Sequence, residues 1–192
     1  DFVFALSVNM PLPRGKRYNM HLQSGPVHIM RQQSTWTDAE HPDFGELAFS
    51  VVGDRVSWQE DWFHGAWFDN LGIFWRDFTA PGDLTNRRYP LEKQPEKGDC
   101  VATLTARLTL KPGETGRVRF AIAWYFPNAT NYWNPQEPEQ QDGAASAEEA
   151  GRLAIQANTW KNYYALLFSD ALAVSLYAHE HWDRLEQATQ QF

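Results

Sequence analysis

The closest approach to a metal-binding pattern in this sequence is the pair His179 and His181, with Glu180 between them. The zinc-binding helix of a metalloprotease places two histidines four positions apart, on one helix face, with a glutamate between them. A spacing of two turns the rings about 200° from each other around a helix. The pattern therefore predicts one histidine packed inside and one on the surface, and no metal site.

Carboxylates and the single cysteine are weaker candidates for chemistry. Glu60 with Asp61, the segment Asp38–Asp43, and Asp77 each offer possible acid/base groups. Glycosidase chemistry depends on the separation of two carboxyl groups, which a sequence does not give, so we expect solvated loop charges. Cys100 rules out a disulfide within the chain and has no evident activating base nearby.

Composition excludes several classes of protein. The formal net charge is −7 and the pI is about 5.3, which argues against a partner that is nucleic acid. With 43% apolar residues the chain is too hydrophobic to be disordered. Its longest apolar run, Phe120–Phe126, is far shorter than the ~20 residues of a membrane-spanning helix. We expect no cofactor.

The elements that must position any site begin with short strands. The two clearest, Val101–Leu110 and Arg117–Phe126, alternate in polarity and flank a turn at Lys111–Glu114, which predicts an antiparallel hairpin. Alternation also predicts one apolar face on the second strand, formed by Val118, Phe120, Ile122, Trp124 and Phe126. Further strands are expected at Phe2–Val8, Arg17–Gln23 and Gly45–Val52, so the fold class is mainly β, with a sandwich or barrel favoured.

The C-terminal part has a different composition. The polar segment Pro135–Gly143 predicts a linker, and Ser146 with Glu149 has capping-box spacing for a helix that follows. Thr159–Phe192 is expected to be helical, with a helix from near Asp170 to the end. Its predicted apolar stripe steps by three and four residues. The stripe consists of Ala171, Val174, Ala178, His181, Leu185, Ala188 and Phe192.

Aromatic residues suggest a binding surface. Tryptophans cluster within Trp58–Asp69, and exposed indoles can stack on sugar faces, although Trp also serves as bulk with a polar handle. Asn131, Tyr132 and Trp133 follow a predicted strand, so their loop is a candidate wall of a neighbouring cleft and a candidate substrate-binding element.

Several segments, in order, resemble glycoside hydrolase family 116, the non-lysosomal glucosylceramidase or bile-acid β-glucosidase family. The resemblance runs from about His41 to Phe192. Its segments are His41–Gly45, Trp67–Asp69, Phe74–Phe78, Trp124–Asn128, Asn131–Trp133, Asn162–Ala165 and Trp182–Glu186.

The resemblance implies an N-terminal antiparallel β-sandwich, followed by a linker and helices that begin an (α/α)6 barrel. It further implies retaining hydrolysis of β-glucosides such as glucosylceramide, by a Glu nucleophile and an Asp acid/base that lie in the barrel. No position of this chain matches either residue, so no catalytic residue is assigned here. The expected division is 1–134 for the sandwich, 135–158 for the linker and connecting helix, and 159–192 for the first barrel helices.

These observations favour an inactive N-terminal fragment of a β-glucosidase, with a sandwich that is incomplete at its N-terminus and packs against the helical barrel. The chain does not begin with Met, which favours a fragment whose start lies further upstream. These residues leave the compartment unknown, and the single unpaired Cys with no leader in view favours a cytoplasmic or peripheral membrane location over secretion. One alternative is a non-catalytic carbohydrate-binding module that uses exposed Trp. A second is a sandwich that only stabilises the barrel.

Overall fold

Two antiparallel sheets pack face to face in the computed structural model, which describes residues 1–65, 67, 69–136 and 146–192. The first sheet has the order β1-β6-β5 and the second the order β2-β3-β4-β7. The strands are β1 Phe2–Asn9, β2 Arg17–Ser24, β3 Val27–Ser34, β4 Glu46–Val52, β5 Val56–Gln59, β6 Val101–Leu108, β7 Phe120–Tyr125, β8 Asn128–Thr130 and β9 Thr159–Lys161. The helices are α1 Asp69–Thr79, α2 Ala147–Ala157, α3 Ala171–Glu180 and α4 Trp182–Gln191.

The main core lies between the two sheets. Leu47, Phe49 and Val51 of β4 contact the β6 residues Ala102 and Leu104. These side chains alternate along each strand, as the period of two requires. The architecture confirms the expected β-sandwich followed by helices.

The predicted hairpin between Val101–Leu110 and Arg117–Phe126 is wrong. The turn itself forms, because Glu114 N–H donates to the Lys111 carbonyl at 3.0 Å and Gly113 has a φ of +80°. However, β6 is flanked on both sides by β1 and β5, so no edge remains for β7, which pairs with β4 in the other sheet. The alternation of apolar and polar residues identifies a strand and its two faces, whereas the strand with which it pairs depends on the topology of the whole sandwich.

The apolar face predicted for β7 is only partly buried. Ile122 and Trp124 point to the same side as Leu47 and Phe49 of β4, but they are 48% and 62% exposed. The reason is that β7 is an edge strand and the first sheet has one strand fewer than the second. The opposite parity is the buried one, because Tyr125 packs beneath the C-terminal helices.

The segment Thr159–Phe192 is not helical throughout. It starts with the short strand β9, and the expected single long helix is interrupted at His181, whose φ and ψ are −107° and 19°. The fully buried positions of α3 are Ala171 and Ser175, so the predicted stripe through Val174 and Ala178 is not the face that packs best. Ser146 caps α2 as expected, accepting from Glu149 N–H at 3.2 Å. Most of the predicted linker lies outside the described residues.

Polar contacts hold helix α3 on the outer face of the second sheet. We call these contacts the polar seam, which is formed by Glu46, Ser50, Ala171, Ser175 and His179. The Glu46 carboxylate accepts from the α3 backbone N–H of Ala171 at 2.7 Å and from Arg31 Nε at 2.9 Å. Farther along, the Ser50 hydroxyl lies 2.6 Å from that of Ser175 and 2.8 Å from His179 Nε2. Strand β4 is therefore covered on both faces, by the first sheet and by α3.

A stack of rings closes one side of the sandwich. The His21 ring lies on the Trp58 indole with centroids 3.6 Å apart, and its Nε2 is 3.1 Å from His28 Nδ1. Glu60 accepts from the His21 backbone N–H at 2.9 Å.

Among the described residues, no helix is long and apolar enough to cross a bilayer.

Gly45→Ala tests the close approach between the start of β4 and the end of β7. A Cβ at Gly45 would overlap the Phe126 ring and press on the Tyr125 carbonyl. We expect a loss of about 1–3 kcal/mol in the free energy of unfolding, measured by urea denaturation. The control is Gly72→Ala in α1, where a Cβ meets open space and stability should rise by up to about 1 kcal/mol. Native stability in Gly45→Ala would contradict this packing.

Acid should destabilise the ring stack. Burial, with the nearby His28, lowers the pKa of His21 from 6.5 to about 4. Because the unfolded chain binds this proton at higher pH, the contribution of His21 to stability is complete above pH 6.5 and is lost as the pH falls towards 4. His21→Phe keeps the ring on Trp58 without the titration. Its unfolding free energy should therefore fall less than that of the native protein between about pH 7 and about pH 5, and an unchanged pH dependence would refute the assignment.

Candidate functional site

A two-stranded sheet joins the end of the sandwich to the C-terminal helices. Strand β8 pairs with β9, so that Ala129 lies opposite Trp160. Beside it, the Asn162 side chain donates to the Phe126 carbonyl at 2.8 Å, and the Phe126 N–H donates to the Tyr164 hydroxyl at 2.9 Å. These contacts fix the loop after β8 relative to the sandwich.

That loop holds the candidate residues Asn131, Tyr132 and Trp133 together. Asn131 N–H donates to the Asn158 carbonyl at 2.7 Å, and its side chain exchanges hydrogen bonds with the Asn134 backbone at 2.6 and 3.1 Å. Because the Asn131 side-chain amide is hydrogen-bonded within the loop, the side chains that the loop exposes are those of Tyr132 and Trp133. We name Tyr132 and Trp133 the aromatic tip.

The aromatic tip is fully open to solvent. Tyr132 and Trp133 are 71% and 82% exposed, and their ring centroids are 4.7 Å apart. Two adjacent flat apolar rings, one with a phenol and one with an indole N–H, suit a ligand that is apolar on one side and polar on the other. The loop thus exposes two adjacent aromatic rings to solvent.

The candidate carboxylates Glu60, Asp61 and Asp77 are held in place by hydrogen bonds and ion pairs within the fold. Buried Asp61 accepts from Tyr89 N–H at 2.8 Å and from Gln94 Nε2 at 2.9 Å, and burial raises its pKa. Its neighbour Glu60 holds the His21 backbone and lies 3.5 Å from Arg88. Burial opposes ionisation of Asp77, but hydrogen bonds from Arg87, Arg76 and Gln59 keep its pKa below the ordinary value.

The expectation that these are solvated loop charges is therefore wrong for Glu60 and Asp61, which are 5% and 1% exposed. Each of these carboxylates is surrounded by hydrogen-bond donors from strands and loops, which is how a buried carboxylate is normally stabilised.

Cys100 and the two C-terminal histidines are also structural. Burial raises the pKa of the Cys100 thiol to about 12, so it remains protonated near neutral pH. His179 bonds to Ser50, and burial together with Arg119 lowers its pKa. His181 packs on the Tyr177 ring, with centroids 4.3 Å apart. The two histidines contact different groups, as their spacing predicts, although His179 rather than the stripe residue His181 faces the sheet.

The tryptophan cluster is divided between the interior and a surface cavity of about 630 Å³, which Trp62 and Trp67 both line. Trp62 stacks on Phe74 with centroids 4.3 Å apart and donates to the Thr103 hydroxyl at 2.8 Å, while Trp58 is part of the ring stack with His21. Trp67 is 81% exposed. The explanation of Trp as bulk with a polar handle holds for Trp58 and Trp62.

Sequence reasoning missed one aromatic position. Trp160 is 51% exposed on β9, in a segment expected to be helical. A Thr-Trp-Lys run of three residues carries too little periodicity to indicate a strand, and β9 exists because β8 pairs with it.

Comparison with known proteins gives the family. Residues 14–185 match the family described as beta-glucosidase 2, glycosyl-hydrolase family 116 N-term. None of the curated proteins compared with the chain matches it. The match spans most of the sandwich and the C-terminal helices, and it includes both the aromatic tip and the polar seam. The chain therefore belongs to the N-terminal domain family of the family 116 glycoside hydrolases.

Proposed function

We propose that this chain is the N-terminal part of a retaining β-glucosidase and that it supplies a binding loop but no catalytic carboxylate. The observation that carries the proposal is the family match over residues 14–185. In the whole enzyme, 1–134 is the sandwich, 135–158 the connection, and 159–192 the beginning of an (α/α)6 barrel. The substrates are β-glucosides, glucosylceramide among them.

The buried carboxylates support this division of labour. Retaining hydrolysis needs two carboxyl groups about 5–5.5 Å apart on either side of the scissile bond, one as nucleophile and one as acid/base. Glu46, Glu60 and Asp61 instead accept from backbone N–H groups of other parts of the fold, those of Ala171, His21 and Tyr89. A carboxylate held in this way is poorly placed to attack a sugar, which is consistent with a reacting pair outside these three residues.

The seam on α3 supports the proposed domain arrangement. Since α3 is attached to the sheet by Glu46 and Ser50, the sandwich holds one helix of the barrel in a fixed orientation. Leu166, Leu167 and Leu185 remain 74%, 60% and 37% exposed, which offers apolar surface for the neighbouring helices of that barrel.

The proposed role of the aromatic tip is to contact the substrate. Glucose presents C–H groups on one ring face, and an aglycone such as a lipid or aryl group is apolar, so either can pack on Tyr132 and Trp133. We assign the tip to the edge of the substrate cleft, with Asn131 holding the loop in place.

Replacing both tip residues in the full-length enzyme, as Tyr132→Ala with Trp133→Ala, tests this assignment. Loss of two ring contacts should lower kcat/KM for an aryl β-glucoside about tenfold or more. The melting temperature should not change, because both side chains are exposed. The matched control is Trp75→Ala on α1, a residue 60% exposed, which should leave kcat/KM as it is. Equal kcat/KM in the double variant and the native enzyme would show that the aromatic tip does not contact the substrate.

A further inference from the structure

A concave surface lies beside β9. This groove has a volume of about 840 Å³ and runs between α2, the loop 36–41 and the β8–β9 pair. Tyr132 and Trp133 do not line it. It is therefore separate from the aromatic tip.

Two indoles line the groove. Trp160 is 51% exposed and is held in place by the pairing of β9 with β8. Trp36 is half-buried, with the Arg14 guanidinium 5.1 Å from its ring centre and the His41 ring edge-on at 5.7 Å. The indole N–H of Trp36 has no hydrogen-bond partner within the part of the chain that the structure describes. This N–H is itself buried, so the groove offers the two indole rings and the charged side chains around them.

The charged side chains of the groove nearly cancel. Its basic residues are Arg14, Arg152 and Lys161, and its acidic residues are Asp38, Glu40, Glu148 and Glu149. Some are paired across it, as Lys161 is with Glu40 at 3.2 Å. A balanced lining on a chain of net charge −7 disfavours an anion, and the density of charged groups disfavours a purely apolar ligand.

We propose that this groove binds a neutral saccharide at a position distinct from the site of bond cleavage. Sugar rings combine an apolar face, which the indoles can stack on, with hydroxyls that donate to carboxylates and accept from guanidinium and ammonium groups. The choice of a saccharide among neutral polyhydroxylated ligands rests on the proposed β-glucosidase function. The groove holds the chain of a longer substrate or a glycan and performs no chemistry.

The test is calorimetric titration of the protein with thio-linked cellotriose, whose sulfur linkages resist hydrolysis. We expect saturable binding that weakens at least fivefold in Trp160→Ala and in Arg152→Ala. Arg152 is exposed and belongs to α2, so its truncation tests the groove even if Trp160→Ala does not fold. The matched control, Trp75→Ala, removes an indole of similar exposure from α1 and should bind as the native protein does.

The outcomes separate this proposal from the proposed function. Absence of binding, native affinity in both groove variants, or preferential binding of inorganic phosphate would overturn the groove assignment even if the enzyme cleaves aryl glucosides. Failure of the β-glucosidase function would show instead as no cleavage of aryl glucosides, with thio-cellotriose still bound in a manner sensitive to Trp160 and Arg152.

Discussion

The structure depends on strand β4 being covered on both faces at once. One face contributes Phe49 to the core between the sheets, and the other presents Glu46 and Ser50 to α3. A buried carboxylate needs donors on all sides, and Glu46 obtains them from Arg31, Gln33 and the first N–H of α3. This requirement fixes where the helix begins and how it lies on the sheet. Breaking such a pairing by removing one partner costs about 3–5 kcal/mol, so the seam joins the sandwich and the C-terminal helices into a single unit.

The two sides of the sandwich are built differently, and the difference bears on function. One side is closed by His21, His28 and Trp58, together with the hydrogen bonds of Glu60 and Asp61. At the end of β7 the chain passes instead into β8 and the aromatic tip, and after α2 it returns as β9 to pair with β8. Acidic residues therefore stabilise the closed side, while exposed aromatic rings are displayed next to the helices. The residues that make the closed side rigid are therefore different from those that expose aromatic rings to solvent.

The positions of the strands could be predicted from the sequence more accurately than the way in which the strands pair. Strands with clear alternation, such as Val101–Leu110, were located correctly, and so were the turn at Lys111–Glu114 and the cap at Ser146. The pairing of β6 with β7 was predicted wrongly, because a short turn also permits a crossing between sheets. The roles of Glu60 and Asp61 were beyond reach, since the donors to their carboxylates, such as the N–H groups of His21 and Tyr89, lie more than twenty positions away in the sequence. Strand β9 and the groove beside it have no local signal and exist only through long-range pairing.

In the proposed function, the two carboxylates that cleave the glycosidic bond lie outside these residues, and the sandwich forms the edge of their cleft. A retaining glycosidase forms a covalent glycosyl-enzyme intermediate on its nucleophile, so the most direct measurement is to trap that intermediate in the full-length enzyme with an activated 2-deoxy-2-fluoro-β-glucoside and to locate the label by peptide mass spectrometry. We expect a glucosylated carboxylate beyond Phe192. A label on any Asp or Glu of residues 1–192 would contradict it.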